Sequence, residues 1–298
     1  MTRPKKARSA DPFRRRREML LAGLGISPDS AARFMLPSRA LPYLLPLPIV
    51  VYFALNGLRH AAARAPLALM IFFAGLALTA VIAIIPSRLT VGVDGIHLAW
   101  IGRSRFIQHE DIVEIVPYDF WFERYPGIRV LLRSGESIFL CTSLSIQFWI
   151  DRWGERDAIL ALVENERKAL RRSDGEDRGP LPELLTRSDL SHAAWIRALR
   201  SIGAGANATL RVAPMPAERL LAVVEDPRAT PAARTAAAIA VSRGDDAETR
   251  RRVAAASEAT GDPTLKRALR VALSDDEAAL VEALAEAEAL GESARRLG

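Results

Sequence analysis

The chain has 298 residues, 50% of them hydrophobic but only 6% aromatic and 26% charged, with a formal net charge of +6. The charged fraction excludes a wholly membrane-embedded protein, the hydrophobic fraction excludes a disordered one, and the length suits about two domains. The basic excess is local. Residues 1–39 hold ten Lys/Arg against three Asp/Glu, and the remainder holds 31 against 32. The net charge therefore describes an N-terminal arm, and no globular nucleic-acid-binding surface follows from it. One cysteine, Cys141, excludes an internal disulfide and suits a reducing compartment.

In the arm, Arg14–Arg17 precede the apolar stretch Met19–Ile26. That stretch is too short and glycine-containing for a signal peptide, and no small-x-small cleavage site follows it. Residues 13–36 read as short, basic, partly amphipathic helices. Two uncharged runs come next: Ala40 to Leu58, 19 residues, and Ala65 to Ser87, 23 residues, separated by residues 59–64. As helices they would reach roughly 28 and 34 Å, against a hydrocarbon core of about 30 Å. The pair reads as a transmembrane helical hairpin. Pro42, Pro46 and Pro48 leave a re-entrant or tilted first helix as the alternative. Ten basic residues precede the first run and two occupy the connection, so the positive-inside rule places both termini in the cytoplasm. The expected location is integral to a bacterial cytoplasmic (inner) membrane, with the membrane as a partner through two spans.

From residue 88 the periodicity changes. Leu89–Val93 and Ile96–Trp100 flank Asp94-Gly95, a hairpin signal. Ile112–Val116 alternates apolar and polar side chains. Ile128–Arg133 and Ser137–Cys141 flank a second turn at Ser134-Gly135-Glu136. Ile146, Trp149, Ile150, Trp153, Leu160 and Val163 then recur at helical spacing. The Leu-Thr-Val…Asp-Gly-Ile opening, Phe106-Ile107…Glu110-Asp111-Ile112, the paired run Ile128–Cys141 and the terminal helix together resemble the bacterial membrane-anchored PH-like domain, over about residues 86–172. The resemblance implies a partly open β-barrel of two curved sheets plugged by the helix, and no catalytic activity.

Residues 173–180 form a charged, glycine-containing linker. Beyond it, residues 181–298 are rich in Ala, Leu, Arg and Glu, without a strand signal. Asp226-Pro227 and Asp262-Pro263 lie 36 residues apart, and each opens an Ala-rich helical pattern. The spacing is similar to HEAT-like helical repeats, with a plain irregular bundle as the alternative. The expected fold class is thus a multidomain α+β membrane protein. It comprises a basic arm (1–39), a transmembrane hairpin (40–58 and 65–87), a PH-like β-barrel with a C-terminal helix (88–172), a linker, and an all-α domain.

The four histidines, His60, His97, His109 and His192, have no His or Cys partner at ligand spacing, and no phosphate loop or nucleophile motif occurs. Asp245-Asp246 and Asp275-Asp276 read as helix caps. No catalytic residue, cofactor or metal site is assigned, and no enzyme is expected. Two surface features remain. Arg14, Arg15, Arg16 and Arg17 are candidates for contact with anionic lipid headgroups. Tyr118, Phe120, Trp121, Phe122 and Tyr125 place five aromatics in eight residues, candidates for an interface. The function expected is a membrane-anchored scaffold whose helical domain binds a protein partner, with a lipid- or envelope-sensing PH-like module as the alternative.

Overall fold

The computed structural model describes residues 12–27, 30–36, 85–120, 125–142, 153–172, 185–187, 189–203, 216–242, 246–274 and 276–297, with isolated positions 74, 75, 77 and 81. In chain order the described elements begin with α1 (Pro12–Gly23), β1 (Ala32–Leu36), β2 (Ser87–Val91), β3 (Gly95–Trp100) and β4 (Arg103–Gln108). A 3-10 turn at His109–Asp111 leads into β5 (Ile112–Phe120), β6 (Tyr125–Leu132) and β7 (Ser137–Cys141). Helices follow: α2 (Trp153–Arg172), α3 (His192–Gly203), α4 (Ala217–Glu225), α5 (Pro231–Ser242), α6 (Ala247–Ala259), α7 (Pro263–Ala272) and α8 (Glu277–Leu297). The chain divides into two compact units. One comprises residues 1–32, 91–97 and 162–298, and the other residues 33–90 and 98–161.

The strands form two separate sheets, one ordered β1-β2-β3-β4 and the other β5-β6-β7. β1 falls inside residues 13–36, where the sequence pattern predicts short helices. Its buried Ala32, Phe34 and Leu36 alternate with exposed Arg33 and Met35, which is the period of a half-buried strand. In the second sheet β6 is central. Its Ile128 and Val130 face Leu140 and Ile138 of β7 in antiparallel register, and all four are buried. No barrel closes among the described strands: β4 gives way to the 3-10 turn before β5 begins, and the two sheets stay distinct. This corrects the expected PH-like barrel.

The transmembrane hairpin is corrected as well. Among the described residues no helix is long and apolar enough to cross a membrane. The two longest, α2 and α8, have 20 and 21 residues, but α2 carries Arg156, Asp157, Glu164, Glu166, Arg167 and Lys168, and α8 carries Glu277, Glu282, Glu286 and Glu288. Charge at that density cannot be buried in hydrocarbon. The run 40–58 lies outside the described residues, as does most of 65–87. Ser87, assigned to the end of the second span, instead opens strand β2. The membrane fold class, the two spans as a membrane partner and the inner-membrane location with cytoplasmic termini are accordingly withdrawn.

In the helical unit, α5 is the axis, and α3, α4, α6, α7 and α8 all pack against it. Its sequence explains why: Ala233, Ala236, Ala237, Ala238 and Ala240 are buried, and their single methyls let neighbouring helices approach on every side. Trp195, Leu199, Leu220, Val224, Val253, Leu269 and Leu284 fill the space around them. The caps match the sequence reading where they are described. Asp246 accepts from the N–H groups of Glu248 (3.1 Å) and Thr249 (3.3 Å), and Asp276 from that of Ala279 (3.0 Å).

The β3–β4 connection is a two-residue turn in which Ile101 (φ 45°) and Gly102 (φ 70°) both adopt left-handed backbone. Such turns favour Asn, Asp or Gly, and a β-branched residue there is strained by roughly 1–2 kcal/mol. Ile101 is 45% exposed, so burial returns little of that cost. Ile101→Asn is expected to stabilise the fold by about 1 kcal/mol, read as a higher urea midpoint. A lower midpoint would mean that the isoleucine makes contacts worth more than its strain.

Candidate functional site

The densest convergence of buried charge in the described chain lies inside the helical unit. It is centred on Arg234, the one charged residue in the alanine-rich α5. Arg234 is 1% exposed. Its Nε donates to the carbonyl of Val224 at 2.9 Å, one of the end carbonyls that a helix leaves unpaired, here on α4. Its Nη1 lies 3.6 Å from Oδ2 of Asp94. Asp94 sits in the β2–β3 turn, residues of which belong to this unit. Its Oδ1 accepts from the N–H of Gly261 at 2.7 Å, and its Oδ2 from the hydroxyl of Thr260. The Val93 N–H donates to the carbonyl of Ala259 at 3.1 Å. Charge pairing and backbone pairing thus hold the turn against the α6–α7 junction.

Two glycines allow that approach. A Cβ on Gly92 would lie 2.0 Å from the Gly261 nitrogen, and one on Gly261 would lie 2.8 Å from the Gly95 carbonyl oxygen. Both clashes are with backbone, which cannot swing aside as a side chain can. The turn closes on itself through the Gly92 N–H and the Gly95 carbonyl at 2.9 Å.

Burial pulls the Arg234 guanidinium below its ordinary pKa, and the charges of Asp94, Asp226 and Asp262 oppose that pull. Asp262 is held above the usual carboxylate range, chiefly by burial and further by the negative charge of Asp94, although its cap bond to the Thr264 N–H (2.9 Å) works the other way. The arrangement can neutralise, orient and lock. The Asp94 carboxylate is already engaged by a hydroxyl, an amide and a guanidinium, so it is a structural acceptor.

The residues singled out from sequence lie elsewhere. Arg15 and Arg16 are exposed on α1. Arg17 turns inward, its Nε 3.2 Å from Oε1 of Glu166 and its Nη2 donating to the Ser30 carbonyl at 3.0 Å. Arg14 lies in α1, with its side chain outside the described residues. Arg15 and Arg16 thus face solvent while Arg17 does not. Tyr118 is 37% exposed, its ring centroid 5.1 Å from that of Phe139 at a tilt of 57°. Phe120 pairs in register with Tyr125 at the end of the β5–β6 hairpin. Trp121 and Phe122 lie outside the described residues. No sequence motif announced the clasp. Its legible traces were a lone arginine inside an alanine run and an Asp-Gly turn whose carboxylate had no local partner. Among the described residues no group of three or more His, Cys, Asp or Glu could hold a metal ion. Comparison with protein-family models, curated proteins and solved structures gives no match to this chain.

Removing one member of a buried pair leaves the other charged and unsolvated, at a cost of about 3–5 kcal/mol. Asp94→Ala and Arg234→Met are each expected to destabilise strongly in chemical denaturation. The double variant should lose less than the sum, because it leaves no orphan charge. Additive losses would mean that the two side chains act independently.

A second test uses pH. Glu258 pairs with Lys266 (2.7 Å) and Arg270, which depress its pKa from an ordinary 4.5 to about 2. The folded value lies below the unfolded one, so this stabilisation is complete above the unfolded value and is lost as pH falls through that window. Glu258 is 40% exposed, so the effect should shrink in salt. Glu258→Gln should lower the melting temperature at neutral pH and converge with the parent near pH 2. A gap that persists in acid would assign the loss to packing.

Proposed function

We propose that this chain is an interaction protein whose helical unit binds a protein partner. The observation that supports this reading is the occupied state of the Asp94 carboxylate: the largest convergence of buried charge in the described chain maintains shape. Buried polar networks of this kind rigidify a unit and favour one arrangement of its helices. A rigid bundle presents a fixed surface, and that lowers the ordering cost of association.

The likeness of residues 181–298 to HEAT-like repeats belongs to the same proposal. The two Asp-Pro dipeptides that suggest it stand in different local settings. Asp226 caps the C-terminus of α4, whereas Asp262 caps the N-terminus of α7 with Pro263 in its first turn. The packing of five helices around α5 favours the irregular bundle, in which the binding surface is built from the outer helices.

Site-specific photo-crosslinking in the source cells tests the proposal. A benzophenone amino acid replaces Ala222 of α4, Ala278 or Ala285 of α8, all exposed, or as controls Ile101 and Val113 of the sheet unit. The proposal expects one discrete protein adduct from helical positions and none from the controls. Adducts from the sheet positions alone would move the binding surface off the helices and sink it.

A further inference from the structure

Two buried carboxylates share one buried guanidinium inside the helical unit. Asp94 and Asp262 are 7% and 4% exposed, and Arg234 is 1% exposed. The two acids meet at the α6–α7 junction, where Asp94 accepts from the N–H of Gly261, the residue before Asp262. Their support is unequal. Asp94 has the Thr260 hydroxyl, the Gly261 amide and the guanidinium. Asp262 is held by the first amides of α7, those of Thr264 (2.9 Å) and Leu265. One guanidinium neutralises one carboxylate. Where two carboxylates share a dry site with a single cation, a proton settles on the less well supported of them.

We propose that the α6–α7 junction is a proton-responsive lock: as pH falls, the Asp262 carboxylate takes up one proton, and the β2–β3 turn is held more firmly against the helices. The inference does not depend on the interaction reading above. Burial and the charge of Asp94 already hold the Asp262 carboxyl above the usual carboxylate range, and Arg234 only partly opposes them. Its folded value exceeds its unfolded one, so the stabilisation is complete below the ordinary 3.8 and is lost as pH rises through the folded value. Other charged groups act on the same elements. Asp226, on the α4–α5 connection, adds its negative charge near Arg234. Glu258 of α6, paired with Lys266 and Arg270 of α7, responds in the opposite sense and weakens in acid. His97, in the same segment as the turn, is pushed by burial toward its neutral form, and charging it in acid also costs stability. The response of Asp262 is therefore read as a difference between chains that keep all of these groups.

Hydrogen exchange of the full chain, followed by mass spectrometry of a peptide covering residues 91–97, supplies that difference. The Val93 and Gly92 amides are hydrogen-bonded to Ala259 and Gly95, so they exchange only when the turn opens. Asp262→Asn keeps a good helix cap without the charge. At pH 7 the peptide should exchange more slowly in this variant than in the parent, and the two should converge as pH is lowered toward about 4. Asp262→Ser, a second uncharged cap, should behave in the same way. Equal exchange at pH 7, or a difference that does not change with pH, overturns the proposal. So does faster exchange in both variants, or failure of both to fold, since either would make the charged form of Asp262 the one that holds the junction.

Discussion

A guanidinium buried at the centre of an alanine-rich helix governs the helical unit. Arg234 cannot lose its charge at any ordinary pH, and it cannot reach water from its place on α5. Everything near it answers that constraint. The last turn of α4 turns the Val224 carbonyl toward it, and the β2–β3 turn brings in Asp94. The α6–α7 junction supplies the Thr260 hydroxyl and the Gly261 amide that complete the Asp94 carboxylate. Asp94 stands within ion-pair distance of that guanidinium, and losing such a partner costs far more than the pair's own net worth. Residues 91–97 belong to the helical unit, although they lie in the sequence among strands.

The same logic explains the small residues at the junction. Gly92 and Gly261 meet backbone to backbone, at a separation that admits no Cβ on either side. The helices around α5 can close because its other buried side chains are mostly methyls, and α5 can carry an arginine because those helices close around it. The excess acid in the cluster is accommodated in part by geometry. Asp262 directs its carboxylate at the first amides of α7, where the helix dipole favours negative charge, and its raised pKa records what remains of the burial cost.

Charge on the outer surface is organised differently. Arg252 reaches both Glu218 and Glu225 of α4, and Arg267 reaches Glu282 and Glu286 of α8. These pairs are exposed and individually weak. Their spacing keeps acids and bases interleaved over α4, α6, α7 and α8.

The sequence by itself determined the local features. Alternation marked the β6–β7 hairpin, Asp at helix starts marked the caps of α6 and α8, and alanine with leucine at helical spacing marked the helical half of the chain. Those follow from forces acting over a few residues. Strand β1 escaped because five residues of alternation beside an arginine run look like part of a helix until β2, some fifty residues later, supplies a pairing edge. The membrane reading failed because apolarity alone cannot distinguish the settings in which an uncharged run is placed. The clasp was beyond sequence reasoning, since Asp94 and Arg234 are 140 positions apart and each looks ordinary alone: one a turn residue, the other a helix former. Only the tertiary structure decided that they meet, because the cost of a buried charge is set by what surrounds it in space and not by its neighbours along the chain.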